Sequence, residues 1–329
     1  MLAGGVLQGT CRSDAARPIM RSVRLLSCLA LLAVMFAQTD EPGPGTWTRG
    51  AAMPTERAEV GAAAVDGRIY VVGAYSGATD ANEAYDPLAD RWQTLASLPR
   101  GLNHVCAAGV GSMLYVIGGF DPSAGNRPVD STYAYDPATD SWSARASMPT
   151  ARGALTCSAL GGSIYAVGGT SAAGDTGANE IYDASADTWA QAAPMPTPRD
   201  HLASASLDGL LHVIGGRSAA LGLTGSTHEV YDPLSDTWST AAPLPTGRSG
   251  IGAAALNGRI HVLGGEASRT FEQNEAYEPA TDTWTSFAPL PTARHGLGVV
   301  AIGDALYVLA GGPRPGDSRS SVVEIFRAD

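Results

Sequence analysis

The stretch MPTARGALTCSALGGSIYAVGGTSAAGDTGANEIYDASADTW, from Met148 to Trp189, decides the fold. Its landmarks are a Pro after an apolar residue, an Arg three residues later, an aromatic after a turn, a Gly-Gly, a Tyr-Asp and a Trp. The pattern occurs six times along the chain, at a period typical of repeat arrays. The sequence therefore predicts several copies of one structural unit.

The six units align by counting. Their first prolines are Pro54, Pro99, Pro149, Pro196, Pro245 and Pro291. The aromatic residue or histidine sixteen positions later is Tyr70, Tyr115, Tyr165, His212, His261 or Tyr307. The aromatic of the Tyr-Asp pair is Tyr85, Tyr135, Tyr182, Tyr231, Tyr277 or Phe326, and the tryptophans are Trp47, Trp92, Trp142, Trp189, Trp238 and Trp284. Only the segment between Gly-Gly and Tyr-Asp changes in length.

Each unit is predicted to form four short strands, which we call a to d. Strand a is small and apolar, as in Ile251 to Leu256, and strand b runs into Gly-Gly. Turns such as Asp66-Gly67 and Asn257-Gly258 suit two-residue hairpins between them, because these residues tolerate positive φ. Strand c ends at Tyr-Asp and strand d carries the Trp, whose large side chains would be buried between stacked sheets.

These residues resemble the kelch repeat family, whose signature is Arg, Gly-Gly, Tyr-Asp and Trp in this order. The resemblance extends from Trp47 to about Arg327, with departures such as Leu102 in place of the second Arg and Phe326 in place of the last Tyr. It implies an all-β fold, a six-bladed β-propeller, over residues 46–329. WD40 repeats have a similar period, but their Gly-His and Trp-Asp marks are absent from the units.

The two ends of the repeat region complement each other. Trp47 precedes any strand a, whereas the last unit, Arg294 to Arg327, has no Trp. The N-terminal strand that carries Trp47 is therefore predicted to complete the last blade and close the ring, as the resemblance also implies.

Residues 1–37 are predicted to be a secretory signal peptide. Arg21 and Arg24 precede the apolar run from Leu25 to Ala37, which is too short for a spanning helix. The true start could be Met20, and residues 38–45 are predicted to be a linker rich in Pro and Gly. We therefore expect a secreted or periplasmic protein without a membrane anchor after cleavage.

The charge and the cysteines limit the partners and the covalent structure. The net charge is −11, all 21 basic residues are Arg, and removing the first 37 residues makes the net charge −14, so nucleic acid and anionic membranes are not expected as partners. Cys106 and Cys157 lie in adjacent a strands, seven and eight residues after their prolines, and should face opposite sides. This favours two buried thiols over a disulfide.

Five arginines at the start of strand a are candidate ligand-binding residues: Arg57, Arg152, Arg199, Arg248 and Arg294. Because consecutive strands alternate in direction, the b–c and d–a loops share one face, and the arginines lie in the d–a loops. A structural role, with each Arg bonding to loop carbonyls, is favoured for a residue repeated in most units. The alternative is a positive mouth that binds carboxylates, since arginines at this position contact peptides in characterised kelch domains.

The residues next to these arginines differ between units, which is where specificity would lie. The candidates are Asn103, His104, Asp200, His201 and His295. A metal site would need the three histidines to reach one axis, and no local ligand spacing supports it, so neither a metal nor a cofactor is predicted. His212 and His261 replace the aromatic residue of strand b and are predicted to be core residues.

The sequence thus predicts a monomeric, exported module that binds a protein, peptide or acidic glycan through an anionic group. No nucleophile motif, pair of catalytic carboxylates or phosphate-binding loop is visible. The alternative that the resemblance implies is a carbohydrate-active enzyme, similar to the sialic acid mutarotase or to galactose oxidase. The mutarotase carries long insertions that this chain lacks, and the oxidases are seven-bladed and need copper with a Tyr–Cys crosslink.

Overall fold

The computed structural model describes residues 44–77, 79–219 and 223–328, so the predicted signal peptide and nearly all of the linker lie outside the described residues. Within them the regular secondary structure is β-strand, apart from one short 3-10 helix at Pro122–Ala124. The strands are β1 (Thr46–Arg49), β2 (Gly61–Val65), β3 (Arg68–Val72), β4 (Asn82–Asp86), β5 (Arg91–Thr94), β6 (Cys106–Val110), β7 (Met113–Ile117), β8 (Phe120–Asp121), β9 (Arg127–Pro128), β10 (Thr132–Asp136), β11 (Ser141–Arg145), β12 (Arg152–Gly153), β13 (Thr156–Leu160), β14 (Ser163–Val167), β15 (Thr170–Ser171), β16 (Gly174–Asp175), β17 (Asn179–Asp183), β18 (Thr188–Gln191), β19 (Ala203–Leu207), β20 (Leu210–Ile214), β21 (Arg217–Ser218), β22 (Leu223–Thr224), β23 (His228–Asp232), β24 (Thr237–Thr240), β25 (Gly252–Leu256), β26 (Arg259–Leu263), β27 (Asn274–Glu278), β28 (Thr283–Ser286), β29 (Gly298–Ile302), β30 (Ala305–Leu309) and β31 (Val323–Arg327).

The main strands of the described chain form six four-stranded antiparallel sheets, which we number 1 to 6. They are β2–β3–β4–β5, β6–β7–β10–β11, β13–β14–β17–β18, β19–β20–β23–β24, β25–β26–β27–β28 and β29–β30–β31–β1. As the sequence predicts, the strand that carries Trp47 pairs with the last strand, with Trp47 opposite Phe326. The remaining two-residue strands form small sheets in the loops.

The first strands of the six sheets lie beside one another. Contacts join β2 to β6, β6 to β13, β13 to β19, β19 to β25, β25 to β29 and β29 back to β2. Small residues permit this approach: a Cβ added to Gly109 would lie 2.2 Å from the Ala64 carbonyl oxygen. These six strands line a cavity of about 430 Å³, which we call the central channel.

A ring of backbone hydrogen bonds runs through the loops that precede these strands. Each donor belongs to one sheet's loop and its acceptor to the loop of a neighbouring sheet, at N–O distances of 2.8 to 3.1 Å. The ring runs from the Glu59 N–H to Gly296 O, Gly296 to Gly250, Gly250 to His201, His201 to Ala154, Ala154 to His104, and His104 back to Glu59. These six residues all have positive φ, between 51° and 62°.

The repeated tryptophans tie each sheet to the preceding one. Each indole Nε1–H donates to an alanine carbonyl: Trp47 to Ala288, Trp92 to Ala51, Trp142 to Ala96, Trp189 to Ala146, Trp238 to Ala193 and Trp284 to Ala242. The tyrosine of Tyr-Asp donates to an aspartate five residues later, as Tyr182 does to Asp187 at 2.7 Å. That same carboxylate accepts the Ala146 N–H. The repeated tryptophans, tyrosines and aspartates therefore join neighbouring sheets to one another, in addition to filling the core.

Cys106 and Cys157 form a disulfide, with their Cα atoms 5.7 Å apart, so the prediction of two separate thiols is wrong. Bridged cysteines on neighbouring strands of a single sheet would have to face the same side. In stacked sheets the opposite holds, because one face of each sheet packs on the other face of the next. The opposed register of Cys106 and Cys157 is the one that brings their sulfur atoms together.

His212 and His261 are buried core residues between sheets. His212 Nδ1 lies 3.0 Å from His228 Nε2, and His261 Nδ1 lies 2.9 Å from Asn274 Oδ1. His228 occupies the position of Asn274 in its own sheet, and each contacts the carbonyl of an alanine fourteen residues later. Burial lowers the pKa of both His212 and His228 to about 4.

His212 and His228 should make the free energy of unfolding sensitive to mild acid. Unfolded histidines take up protons near pH 6.5, whereas the folded pair stays neutral down to about pH 4, so stability should fall as pH drops through that window. His228→Asn copies the His261–Asn274 pair and should flatten this dependence. Urea denaturation from pH 7.5 to pH 4.5 measures it, and an unchanged slope in the variant would refute the assignment.

Candidate functional site

The five arginines predicted to bind ligand are buried inside their own sheets, with relative exposures of 0 to 1%. Each guanidinium forms an ion pair with a glutamate on the third strand of its sheet, in the pairs Arg57–Glu83, Arg152–Glu180, Arg199–Glu229, Arg248–Glu275 and Arg294–Glu324. Arg248 shows the full pattern, donating to the carbonyls of Thr246, Val262 and Gly264 at 2.6 to 3.0 Å. The structure thus places these side chains inside their sheets, in the contacts that the favoured structural role requires, and not at the predicted positive mouth.

Sheet 2 is the exception that supports this role. Leu102 stands at the arginine position and Tyr133 at the glutamate position, so both members of the pair are missing together. A single charged partner would otherwise be left buried and unpaired, which is costly. The replacement of arginine by Leu102 is therefore matched by the replacement of glutamate by Tyr133 on the third strand.

The loop residues next to the arginines meet where the backbone ring surrounds the channel opening. The positive-φ positions carry Glu59, His104 and His201 in three sheets, and Ala154, Gly250 and Gly296 in the others. We call Glu59, His104, His201 and His295 the mouth cluster. The small residues at the other three positions leave room beside it. The rings of His104 and His201 lie 5.0 Å apart between centroids, although they come from alternate units.

Each imidazole of the mouth cluster is oriented through Nδ1. His104 Nδ1 lies 2.6 Å from Asn103 Oδ1, His201 Nδ1 lies 2.9 Å from Asp200 Oδ1, and His295 Nδ1 lies 3.0 Å from Gly312 O. Because these three oxygens accept, each Nδ1 carries a hydrogen, and the Nε2 atom of each ring is left for other contacts. Asn103 and Asp200, both predicted site residues, therefore position the neighbouring histidines.

The Nε2 atoms are directed at carboxylates. His104 Nε2 lies 3.5 Å from Glu59 Oε2, and His295 Nε2 lies 3.5 Å from both Glu59 Oε1 and Glu266 Oε2. The side chains of Glu59 and His104 are only 13% and 10% exposed. Burial lowers the pKa of His104 to about 4, against the opposing charge of Glu59, so the ring is neutral at pH 7.

Three residues of the site were missed by the sequence reasoning: Glu59, Arg217 and Glu266. Arg217 lies 3.1 Å from His201 Nε2 through Nη2, and its guanidinium also contacts Asp200 at 3.2 Å and Glu266 at 3.3 Å. Arg217 and Glu266 both come directly after a Gly-Gly, a position that varies between units and could have signalled them. With Glu59, Asp200 and Glu266 against one arginine, the site is acidic rather than positive.

Comparison with known proteins agrees with the repeat pattern. The Kelch motif matches residues 56–99, 102–149, 151–196, 198–245 and 247–291. The chain belongs to the kelch repeat family. A search of curated proteins gives no match. Among solved structures, one described as the structure of YjhT is similar, with a TM-score of 0.73 and 17% identity over 83% of this chain and 95% of that one. At this identity the likeness shows the fold alone. Among the described residues, no helix has the length and apolar character needed to cross a membrane.

The arginine–glutamate pairs allow a stability test. Arg152→Ala leaves Glu180 buried without its partner and should lower the free energy of unfolding by about 3–5 kcal/mol. The double variant Arg152→Leu, Glu180→Tyr copies Leu102 and Tyr133 of sheet 2 and should recover much of that loss. Urea denaturation of the three proteins measures both effects. If Arg152→Ala were as stable as the parent, the pair would have no structural role.

Proposed function

We propose that this chain is an exported six-bladed kelch propeller that binds a small, donor-rich ligand, such as a neutral sugar, at the mouth of its central channel. The observation that carries the proposal is the convergence of Glu59, His104 and His201 above the cavity, where acceptor atoms of Glu59 and His104 lie 3.5 Å apart and the His201 ring adjoins His104. Hydroxyl or amine groups of a ligand would supply the missing donors. The anionic ligand expected from the sequence is not carried forward, because its arginines are buried.

Three features support a closed ring of six blades. The first strands contact one another in a cycle, the backbone ring returns to its starting residue, and β1 pairs with β31. A rigid closed scaffold would hold side chains from distant parts of the sequence at fixed positions around one axis. Export is supported by the predicted signal peptide and by the Cys106–Cys157 disulfide, since disulfides persist in oxidising compartments.

A carbohydrate-active enzyme is the second candidate. Glu59 beside the neutral His104 provides two groups that could exchange protons with a sugar, as ring opening by general acid–base catalysis requires. The galactose oxidase type receives no support: both cysteines of the described residues are joined in one disulfide, which leaves neither for a Tyr–Cys crosslink.

Ring closure predicts equal roles for Trp47 and Trp238. Each donates to an alanine carbonyl of the preceding sheet, but only Trp47 joins the two ends of the repeat region. Trp47→Ala should lower the free energy of unfolding about as much as Trp238→Ala, roughly 2 kcal/mol or more. Chemical denaturation compares the two variants. A harmless Trp47→Ala beside a destabilising Trp238→Ala would contradict closure by β1.

A glycan and peptide array tests the binding function. The mature protein should retain a set of neutral sugars or amine-bearing compounds, and Glu59→Gln and His201→Ala should each weaken that binding by about tenfold or more, which is roughly one charge-assisted hydrogen bond. The control is Asp208→Asn, at the far end of strand β19 from the mouth. Binding that survives both mouth variants, or binding to acidic compounds alone, would overturn the proposal.

A further inference from the structure

Several side-chain atoms of the mouth cluster lie close enough together to be ligands of one metal ion. One ligand atom each from Glu59, His104 and His201 lie within 4.8 Å of one another. Four ligands at about 2.1 Å from a tetrahedral metal ion are about 3.4 Å apart. Two separations in the mouth cluster are close to this ligand–ligand distance. His104 Nε2 lies 3.5 Å from Glu59 Oε2, and His295 Nε2 lies 3.5 Å from Glu59 Oε1.

The surroundings of the histidines are those of metal ligands. Metal-binding imidazoles almost always donate their other N–H to a carboxylate or carbonyl oxygen, which fixes the ring and increases the basicity of the ligand atom. His201 does so to Asp200, which is itself held by Thr170 at 2.7 Å, and His104 does so to Asn103. The Asn103 amide orientation is set by its own donation to Asn126 Oδ1 at 3.0 Å. Asp200 and Asn103, which accept the Nδ1–H groups of the two histidines, are therefore themselves held in place.

A core or packing role explains this arrangement less well. His104 Nε2 lies 3.5 Å from Glu59 Oε2, and His295 Nε2 lies 3.5 Å from Glu59 Oε1; these separations are longer than a typical hydrogen bond but fit two ligands of one metal ion. At His201 the positive charge comes from Arg217, whose side chain is 44% exposed. The buried core histidines His212 and His261, by contrast, face polar partners within their sheets.

From this geometry we infer that Glu59, His104 and His201 bind one divalent transition-metal ion of the zinc class. Glu59 supplies a carboxylate oxygen, and His104 and His201 supply Nε2. His295 is placed to be a fourth ligand, or else the fourth position is open to water or to a hydroxyl of the ligand. Two imidazoles with a carboxylate favour Zn²⁺, Co²⁺, Ni²⁺ or Fe²⁺ over Mg²⁺ and Ca²⁺, which prefer oxygen ligands alone. The inference deepens the proposed function, but metal binding to the free protein needs no ligand.

The test uses mature protein without an affinity tag or reductant, treated with EDTA and then dialysed. Titration calorimetry with ZnCl₂ should show one ion bound per chain, and CoCl₂ should give the visible absorption of a site with nitrogen and oxygen ligands. Glu59→Gln, His104→Gln and His201→Gln should each weaken Zn²⁺ binding by more than the 10–100-fold typical of outer-shell changes. His261→Gln and Asp208→Asn are the matched controls and should bind as the parent does.

A variant expected to bind Zn²⁺ more tightly serves as a control, because a variant that merely unfolds would lose Zn²⁺ binding. Arg217→Ala removes a competing positive charge and donor, so it should tighten Zn²⁺ binding, and added Zn²⁺ should raise its melting temperature at least as much as that of the parent. Absence of saturable Zn²⁺ binding, or equal binding by the three ligand variants and the parent, would overturn the inference. If sugar binding is the same with and without EDTA, the metal plays no part in ligand recognition, and the proposed binding function still stands. If Zn²⁺ binds but no compound on the array does, the metal site would stand and the proposed ligand-binding function would be refuted.

Discussion

The buried arginine–glutamate pair is the interaction on which the rest of the structure depends. In five sheets it joins the loop before the first strand to the third strand. In four of them the arginine also donates to a carbonyl of the loop after the second strand, so the two loops that form the mouth in these sheets are held to each other. A guanidinium suits this task because its planar donors can bind a carboxylate and several carbonyls at once. Ligand binding by the same side chains would require this network to open.

The fixed loops allow the next residues to take an unusual conformation. Glu59, His104 and His201 are held at positive φ by the backbone ring that joins neighbouring sheets. Such a conformation is strained for non-glycine residues and is typical of positions whose side chains must be aimed. Glycine or alanine occupies the same position in the other three sheets. The repeat thus provides six equivalent positions, and three of them carry the chemistry of the mouth.

The mouth cluster draws its residues from sheets that are far apart in the sequence. Glu59 belongs to sheet 1, His104 to sheet 2, His201 to sheet 4 and His295 to sheet 6, so no local segment contains the cluster. The Cys106–Cys157 disulfide links the first strands of sheets 2 and 3, directly below the loop of His104. This covalent link lies along the channel wall, where small residues leave little apolar side-chain surface to be buried. It therefore strengthens the part of the scaffold that holds the mouth.

The sequence by itself determined the repeat, the four strands of each unit, the turns and the pairing of the Trp47 strand with the last strand. These follow from local rules, namely turn chemistry, alternation and the spacing of Trp, Tyr and Gly. It also indicated the loop face and named His104, His201 and His295 as candidates. Only the tertiary structure decided that the arginines point inward, because the glutamates that pair with them lie 26 to 30 residues away in the sequence. Likewise, stacked sheets present opposite faces to each other, which reversed the expectation for Cys106 and Cys157. The meeting of Glu59 with the histidines depends on contacts between loops of different sheets, which no spacing along the chain encodes.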